Sequence, residues 1–237
     1  MHTSPRKLGL LGGVTWESSV VYERLLNEGT RASLGGSHSA DLIVRSYDFQ
    51  PIADAMTADD WDGLAATFVR DAALLESGGA EAILICANTM HKIAGRVSAA
   101  VSVPLIHIID VTADAILDAG LHTVALLGTG YTMRDPFYRD HMATRGVTTV
   151  VPDEADIAEV HRIIFEELGR GIIRSESRET LQSIVGGLAA GGAQGVIAGC
   201  TEIPLLLRAQ DVHVPYFDSL TLHVEAALAF SLDSQPG

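Results

Sequence analysis

The stretch LGLLGG at residues 8–13 returns as VALLGT at residues 124–129, a shift of 116 positions. GAEAILICA at residues 79–87 returns as GAQGVIAGC at residues 192–200, a shift of 113. Val103-Pro104, downstream of GAEAILICA, returns as Val214-Pro215, downstream of GAQGVIAGC, a shift of 111. Three matches in the same order with nearly equal shifts indicate a duplicated unit, whereas a single match would only show that buried parallel strands look alike.

Apolar runs alternate with longer amphipathic stretches along the whole chain. Eight runs are typical of strands, because they are aliphatic and end at Gly, Asn, Thr or Asp. They cover residues 7–13, 41–47, 80–87, 103–109, 123–129, 146–151, 193–200 and 214–218. Helical spacing of apolar residues marks seven other stretches: residues 17–33, 60–77, 111–119, 136–145, 154–168, 176–190 and 219–232.

This alternation predicts an α/β chain with mainly parallel sheet. We expect one domain from residues 1–107 plus 216–237 and a second from residues 108–215. Ligands of parallel α/β units bind beyond the carboxyl ends of the strands. Two pseudo-symmetric units facing across a cleft would therefore present equivalent groups to both sides of a small molecule.

The composition excludes several classes of protein. Among 237 residues, 16 Lys and Arg stand against 30 Asp and Glu, and the net charge of −14 disfavours nucleic acid or an anionic membrane as partner. Hydrophobic residues make up 47%, yet no run approaches the roughly 18 apolar residues of a membrane span. The start, MHTSPRKLGLLGG, lacks the longer apolar stretch of a signal peptide, which predicts a cytoplasmic protein. The nine histidines show no metal-binding motif, so no metal site is expected.

Cys200 ends the seventh strand-like run and is followed by Thr201 and Glu202. A thiol where a helix begins meets free backbone N–H groups, whose partial positive charge would lower its pKa and make thiolate available. A buried structural cysteine is the alternative. The position at a strand end favours a functional thiol.

The equivalent turn in the first half reads Cys86-Ala87-Asn88-Thr89-Met90. Asn88 and Thr89 carry short polar side chains suited to capping a helix. Free N–H groups at such a helix start could hold a carboxylate. A plain helix cap without a ligand is the alternative.

The segments LGLLGGVTWESS, CANTMH, RIIFEEL and GCTEI resemble the aspartate/glutamate racemase superfamily, most closely its broad amino-acid racemase branch. The likeness extends from Leu8 to about Phe230. It implies two Rossmann-like domains facing across a cleft, usually in homodimers, acting on a small amino-acid substrate without pyridoxal phosphate or metal. Two cysteines, one per domain, would flank the α-carbon, so that one thiolate removes the α-proton and the opposite thiol returns one.

The resemblance assigns this chemistry to the strand-end turns, with Cys200 as the catalytic thiol. The residues expected to bind substrate are Val14, Gln50, Asn88, Thr89, Met90, Thr129, Thr201 and Glu202. Those on the two turns would hold the carboxylate and amino group of the amino acid. Glu202 would also shape the second turn.

In the family, the first of the two cysteines stands directly before Asn-Thr. This chain departs from the family there, because it has Ala87 at that position. The repeat agrees, because the shift of 113 places Cys200 over Ala87. Side chains alternate along a strand, so Cys86 should point away from the cleft into the core. A bulged strand end could still swing Cys86 inward.

A second departure concerns the substrate side chain. Relatives that act on aspartate or glutamate tend to offer basic groups from the loop after the second strand and from the helix before RIIFEEL. Here residues 50–61 and 153–160 contain no Lys or Arg. Arg45 and Arg162 lie nearby in sequence, but Arg45 is mid-strand. Acidic residues in both segments would repel a dicarboxylate. We therefore expect a neutral or cationic amino acid, or broad specificity.

The leading hypothesis is a cofactor-independent amino-acid racemase or epimerase with Cys200 as thiol acid and base. Water, or a hydroxyl of Thr89, Thr129 or Tyr131, would serve the second face. A lone thiol also suits a decarboxylase or cis–trans isomerase of small diacids. The missing thiol equally suits an inactive amino-acid-binding protein.

Overall fold

The computed structural model describes residues 4–233, so residues 1–3 of the amino-terminal stretch considered above and residues 234–237 lie outside it. Contacts divide the chain into two units. One runs up to His107 and resumes at His223, and the other is Ile108–Leu222. No helix within residues 4–233 is long and apolar enough to cross a membrane.

The first unit is built on a parallel four-stranded sheet with the order β2-β1-β3-β4. Its strands are β1 (Leu8–Gly12), β2 (Leu42–Ser46), β3 (Ala82–Ile85) and β4 (Leu105–Ile106). Its helices are α1 (Trp16–Leu34), α2 (Phe49–Thr57), α3 (Trp61–Ser77), a 3₁₀ turn (Thr89–Ile93) and α4 (Ala94–Ser98). The two central strands are buried at every position, which explains their uninterrupted apolar sequence.

The second unit has a parallel sheet with the order β6-β5-β7-β8. Its strands are β5 (Thr123–Gly128), β6 (Thr148–Val150), β7 (Val196–Gly199) and β8 (Tyr216–Asp218). Its helices are α5 (Ile108–Asp118), α6 (Gly130–Arg134), α7 (Phe137–Thr144), α8 (Glu154–Arg162), α9 (Ser175–Ala190) and α10 (Ile203–Leu206). Helix α8 continues into a π-helix (Ile163–Glu167) and a 3₁₀ turn (Leu168–Arg170), and α11 (Ser219–Leu232) starts in this unit and ends in the first.

The two sheets share their register as well as their strand order. Gly9 pairs with Ile83 in the first sheet, and the shifts of 116 and 113 carry this pair onto Ala125 and Val196, which pair in the second. The contacts of β3 with β4 correspond in the same way to those of β7 with β8. The expected α/β class with parallel sheet is thereby confirmed, and the register supports the duplication read from the sequence.

Three features differ from the sequence-based expectations. The segment 50–61, interpreted as a loop, contains most of α2, whose start is capped by the Asp48 side chain bonded to the Gln50 N–H at 3.2 Å. The short helices α4, α6 and α10 have no counterpart among the expected helices, because four or five residues do not complete an apolar period. Strand β8, which the expected division gave to the first domain, is hydrogen-bonded to β7 in the second sheet.

Candidate functional site

The turn after β3 places Ala87, Asn88, Thr89 and Met90 at the carboxyl edge of the first sheet. Ala87 is 7% exposed, Asn88 is 4% exposed and Met90 is fully buried, while Thr89 is half-buried and begins the 3₁₀ turn. His91 closes the turn by donating from Nδ1 to the Ala87 carbonyl at 2.9 Å. The backbone of this turn is thus held by its own residues.

Cys86 lies beneath this turn, in the core. Its side chain is 1% exposed, and its N–H donates to the Leu11 carbonyl at 3.0 Å. Burial raises the pKa of the Cys86 thiol well above its usual range, and the charge of Glu23 adds to this. Cys86 is therefore a poor source of thiolate.

Val14 and Gln50 follow the ends of β1 and β2 in the first sheet. Val14 is half-buried behind Gly13, whose φ of 79° and close approach to the backbone of Tyr47 leave no room for a Cβ. Gln50 is exposed in the first turn of α2, and its amide donates to the Asp54 carboxylate at 2.8 Å.

In the second unit, Cys200 directly follows β7 and is paired with Glu202. The Cys200 thiol donates to Glu202 Oε2 at 2.8 Å, and the Thr201 hydroxyl donates to the same oxygen at 2.8 Å. Cys200 is 8% exposed and Glu202 is 5% exposed, while Thr201 is half-buried. A buried carboxylate thus accepts two hydrogen bonds from its sequence neighbours.

This arrangement corrects the expectation of a lowered thiol pKa. Burial raises the pKa of Cys200 well above its usual range, and the neighbouring negative charge of Glu202 raises it further. The backbone N–H groups of the turn act in the opposite direction, but burial and Glu202 outweigh them. Cys200 rests as a neutral thiol with a base at hydrogen-bond distance.

Thr129 lies on the neighbouring strand end of the same sheet. Gly128 pairs with Gly199, so Thr129 and Cys200 each stand one residue beyond a paired position. The Thr129 hydroxyl accepts the Thr132 N–H at 3.3 Å and caps α6. The structure therefore brings four expected residues of the second unit, Thr129, Cys200, Thr201 and Glu202, to one edge of the sheet.

The sequence analysis missed His161, at the end of α8, which contacts the same edge. Its Nδ1 accepts the Gly130 N–H at 3.1 Å, and its ring lies 4.5 Å from that of Phe165 and 5.9 Å from that of Tyr131. Residues 153–160, the segment without Lys or Arg, end directly before His161. The spacing of four between His161 and Phe165 was the available signal, because such residues share a helix face.

Both arginines near the expected side-chain pocket are engaged by carboxylates. Arg45 Nε donates to the buried Asp71 at 3.0 Å. Arg162 contacts Glu159 through Nε and Nη2, at 2.9 and 2.7 Å, and contacts Glu167 through Nη1 at 2.8 Å. All three nitrogens of the Arg162 guanidinium are thus committed within its own unit.

Comparison with known proteins gives concordant results. Residues 11–227 match the family model described as Asp/Glu/Hydantoin racemase. A solved structure of a candidate Asp/Glu racemase from Yersinia pestis is 44% identical with a TM-score of 0.91, covering 96% of this chain and 100% of that one. An aspartate racemase homologue from Pyrococcus horikoshii is 34% identical with a TM-score of 0.85, over 96% of this chain and 100% of its own.

A shorter match is an uncharacterized protein from Pectobacterium carotovorum, from the 3′ region of pnlA. It is 35% identical over 104 residues, which are 44% of this chain and 68% of that protein. The resemblance that the strand-end motifs suggested is confirmed over most of the chain. The chain belongs to the Asp/Glu/Hydantoin racemase family.

Proposed function

We propose that the chain is a cofactor-independent amino-acid racemase or epimerase that transfers the α-proton through Cys200. The observation that carries this proposal is the thiol-to-carboxylate hydrogen bond of 2.8 Å at the end of β7. A family of racemases and a thiol poised beside a base both fit proton transfer at carbon.

The proton path follows from that bond. The Cys200 proton passes to Glu202 Oε2, and the resulting thiolate takes the α-proton of the amino acid, leaving a carbanion. Water or a hydroxyl returns a proton to the opposite face, because Ala87 offers no acidic group. Glu202 then gives its proton back to the medium, so that no proton is gained or lost over the cycle. As the family resemblance implies, Asn88, Thr89 and Thr201 would hold the carboxylate and amino group, and Val14, Gln50 and Thr129 would contact the substrate. Met90, which the resemblance also places there, is fully buried and so is not exposed to a substrate.

The substrate we favour is a neutral or cationic amino acid. Arg45 and Arg162 are already paired with carboxylates, so neither offers a free cation to a distal carboxylate. Residues 50–61 and 153–160 contain acidic side chains, which would repel a second negative charge on the substrate. Because one similar solved structure is described as an aspartate racemase homologue, aspartate is the competing substrate in the test.

The test is α-proton exchange in D2O, followed by mass spectrometry across the twenty common amino acids and by polarimetry. Exchange with loss of optical activity, strongest for neutral or basic substrates, is expected. Aspartate or glutamate exchanging fastest would overturn the substrate assignment. Binding of an amino acid without exchange would instead identify a binding protein.

A second candidate is a single-thiol decarboxylase of small diacids. Ala87 in place of a thiol favours it, because protonation of one face requires one acid only. The neutral Cys200 thiol is a proton donor of that kind. Release of CO2 from a malonate derivative, without amino-acid exchange, would select this reaction.

We also expect a homodimer, as the family resemblance implies, and a cytoplasmic location. Sedimentation velocity at micromolar concentration measures the first, and cell fractionation measures the second. A sedimentation coefficient of a monomer under conditions in which the protein racemises amino acids would contradict the expected homodimer.

A further inference from the structure

His161 contacts the turn that begins beside Cys200. Adjacent strands lie about 4.8 Å apart, and Gly128 pairs with Gly199, so Thr129 and Cys200 are neighbours across β5 and β7. The next residue, Gly130, donates its N–H to His161 Nδ1 at 3.1 Å. One hydrogen bond therefore links His161 to the backbone one residue from the Cys200 edge.

The contact depends on a close approach of backbone and ring. A Cβ at Gly130 would lie 3.3 Å from His161 Nδ1 and would overlap the Arg134 guanidinium. Tyr131 and Phe165 contact the imidazole from two further sides, at centroid distances of 5.9 and 4.5 Å. These rings leave the imidazole oriented with Nδ1 toward Gly130.

The bond requires the neutral imidazole. A backbone N–H only donates, so Nδ1 must carry its lone pair and the ring proton must be on Nε2. Burial lowers the pKa of His161 below its usual value of about 6.5, the Arg134 cation on α6 lowers it further, and Glu166 on the following π-helix opposes them. On α8 itself, Glu159 and Arg162 neutralise each other, and Arg134 is bonded to Glu154. The neutral form therefore prevails at pH 7.

We propose that neutral His161 is a positioning residue of the Cys200 site, holding the Thr129–Gly130 turn through Nδ1 and releasing it when protonated. The inference rests on the proposed role of Cys200 and adds a residue outside the strand-end motifs. Its consequence is an acidic limb in the pH profile that belongs to the turn and not to the thiol.

The experiment measures kcat/KM for deuterium exchange, between pH 5 and 8, with an equimolar mixture of the twenty L-amino acids as probe. His161→Phe keeps the ring contacts but cannot accept the bond, and we expect about a tenfold loss at pH 8. His161→Asn offers an amide oxygen that does not titrate, so it should stay within about threefold of the parent and lose the acidic limb. His213→Asn, an exposed histidine of the same unit, is the matched control and should keep the parent profile.

Parent-like activity of His161→Phe, or an unchanged acidic limb in His161→Asn, would overturn the proposal. Because unfolding of His161→Phe would also lower activity, circular dichroism accompanies each assay, and the acidic limb of the His161→Asn profile tests the proposal independently. Cys200→Ser distinguishes failure of the proposed function from failure of the positioning role. Exchange that survives this change rejects the proposed function. Loss of exchange in Cys200→Ser, together with parent-like exchange in the His161 variants, rejects only the positioning role.

Discussion

The turns after β3 and β7 occupy equivalent places in two sheets of equal order and register, yet they carry different chemistry. The first presents the methyl group of Ala87 above a buried Cys86, whereas the second presents the Cys200 thiol bonded to Glu202. The pairing register of each sheet is set by its buried aliphatic strands, whose side chains allow little change of residue type. The turn residues lie beyond the paired positions of the strands, so the two halves can differ in reactivity while sharing one framework.

The largest expected effect separates the two thiols. Cys200→Ser should lower the exchange rate about 10³-fold, because a hydroxyl is a far weaker acid and base than a thiol at neutral pH. Cys86→Ala, the matched change in the first unit, should leave the rate nearly unchanged, since Cys86 is 1% exposed. Single-turnover exchange measured by mass spectrometry checks both variants. Equal losses in the two would mean that the turns are not chemically distinct.

The two units should also differ in acid sensitivity, because of His223. This side chain is fully buried, donates from Nε2 to the Ile106 carbonyl and contacts the Tyr22 hydroxyl through Nδ1, both at 2.8 Å. Burial lowers the pKa of His223 to about 4, with a small opposing effect of the Ile106 bond. Since the folded pKa lies below the unfolded value of about 6.5, its stabilisation is complete above pH 6.5 and is lost as the pH falls to 4, by about 3 kcal/mol.

Hydrogen exchange followed peptide by peptide between pH 7 and 4 measures this difference. We expect the first unit to lose protection earlier, because the described histidines of the second unit are half-buried or exposed. His223→Gln should flatten the pH dependence while lowering stability at pH 7. Simultaneous loss of protection in both units at the same rate would contradict the assignment to His223.

A smaller effect tests the pairing inside the second turn. Glu202→Gln removes the charge that, after burial, contributes most to the raised pKa of Cys200, so that pKa should fall. Exchange should nevertheless slow by about 30-fold, because the thiol proton loses its acceptor. Thiolate absorbance at 240 nm as a function of pH, recorded in a Cys86→Ala background, measures the pKa. A thiol pKa that rises or stays constant would show that Glu202 does not act on the thiol.

The smallest expected effect makes the two turns alike. Ala87→Cys places a thiol at the position equivalent to Cys200, and we expect about a tenfold gain in exchange with reprotonation on the second face. Ala87→Ser is the control of similar size, which should gain much less. The ratio of inverted to retained deuterated product distinguishes the faces. A variant that folds and shows no gain would mean that a second thiol is not what limits the reaction.

Most of the framework could be predicted from the sequence, because parallel strands buried on both faces read as unbroken aliphatic runs. Within residues 4–233, the central strands β1, β3, β5 and β7 are such runs, and the other four expected runs contain the more exposed strands β2, β4, β6 and β8. Of the helices that escaped prediction, α2 and α6 begin at the side-chain caps of Asp48 and Thr129, whereas α4 and α10 have no such cap and are too short to complete an apolar period. The carboxyl-terminal division between the units also escaped, since a three-residue strand does not reveal which sheet it joins.

The positions of the candidate site were predictable, but its electrostatics were not. A strand end followed by Thr and Glu locates Cys200, and the structure places it beside Thr129 as expected from the sheet. The sign of the pKa shift depends on burial and on the distance to Glu202, neither of which the sequence contains. His161 was missed for the same reason, because its partner Gly130 lies 31 residues away.

The saturated guanidinium of Arg162 has a consequence for how new specificities can arise. Its three nitrogens serve two carboxylates, one of which, on Glu167, is 2% exposed and also bonded to Ser177. A lysine offers one nitrogen in place of three and cannot contact both carboxylates in the same way, so Arg162→Lys should weaken the pairing of the buried Glu167. The exposed face of α2, which carries Gln50 with its side-chain amide bonded to Asp54, is open to substitution, and a library varied there should yield altered substrate ranges at little cost in folding.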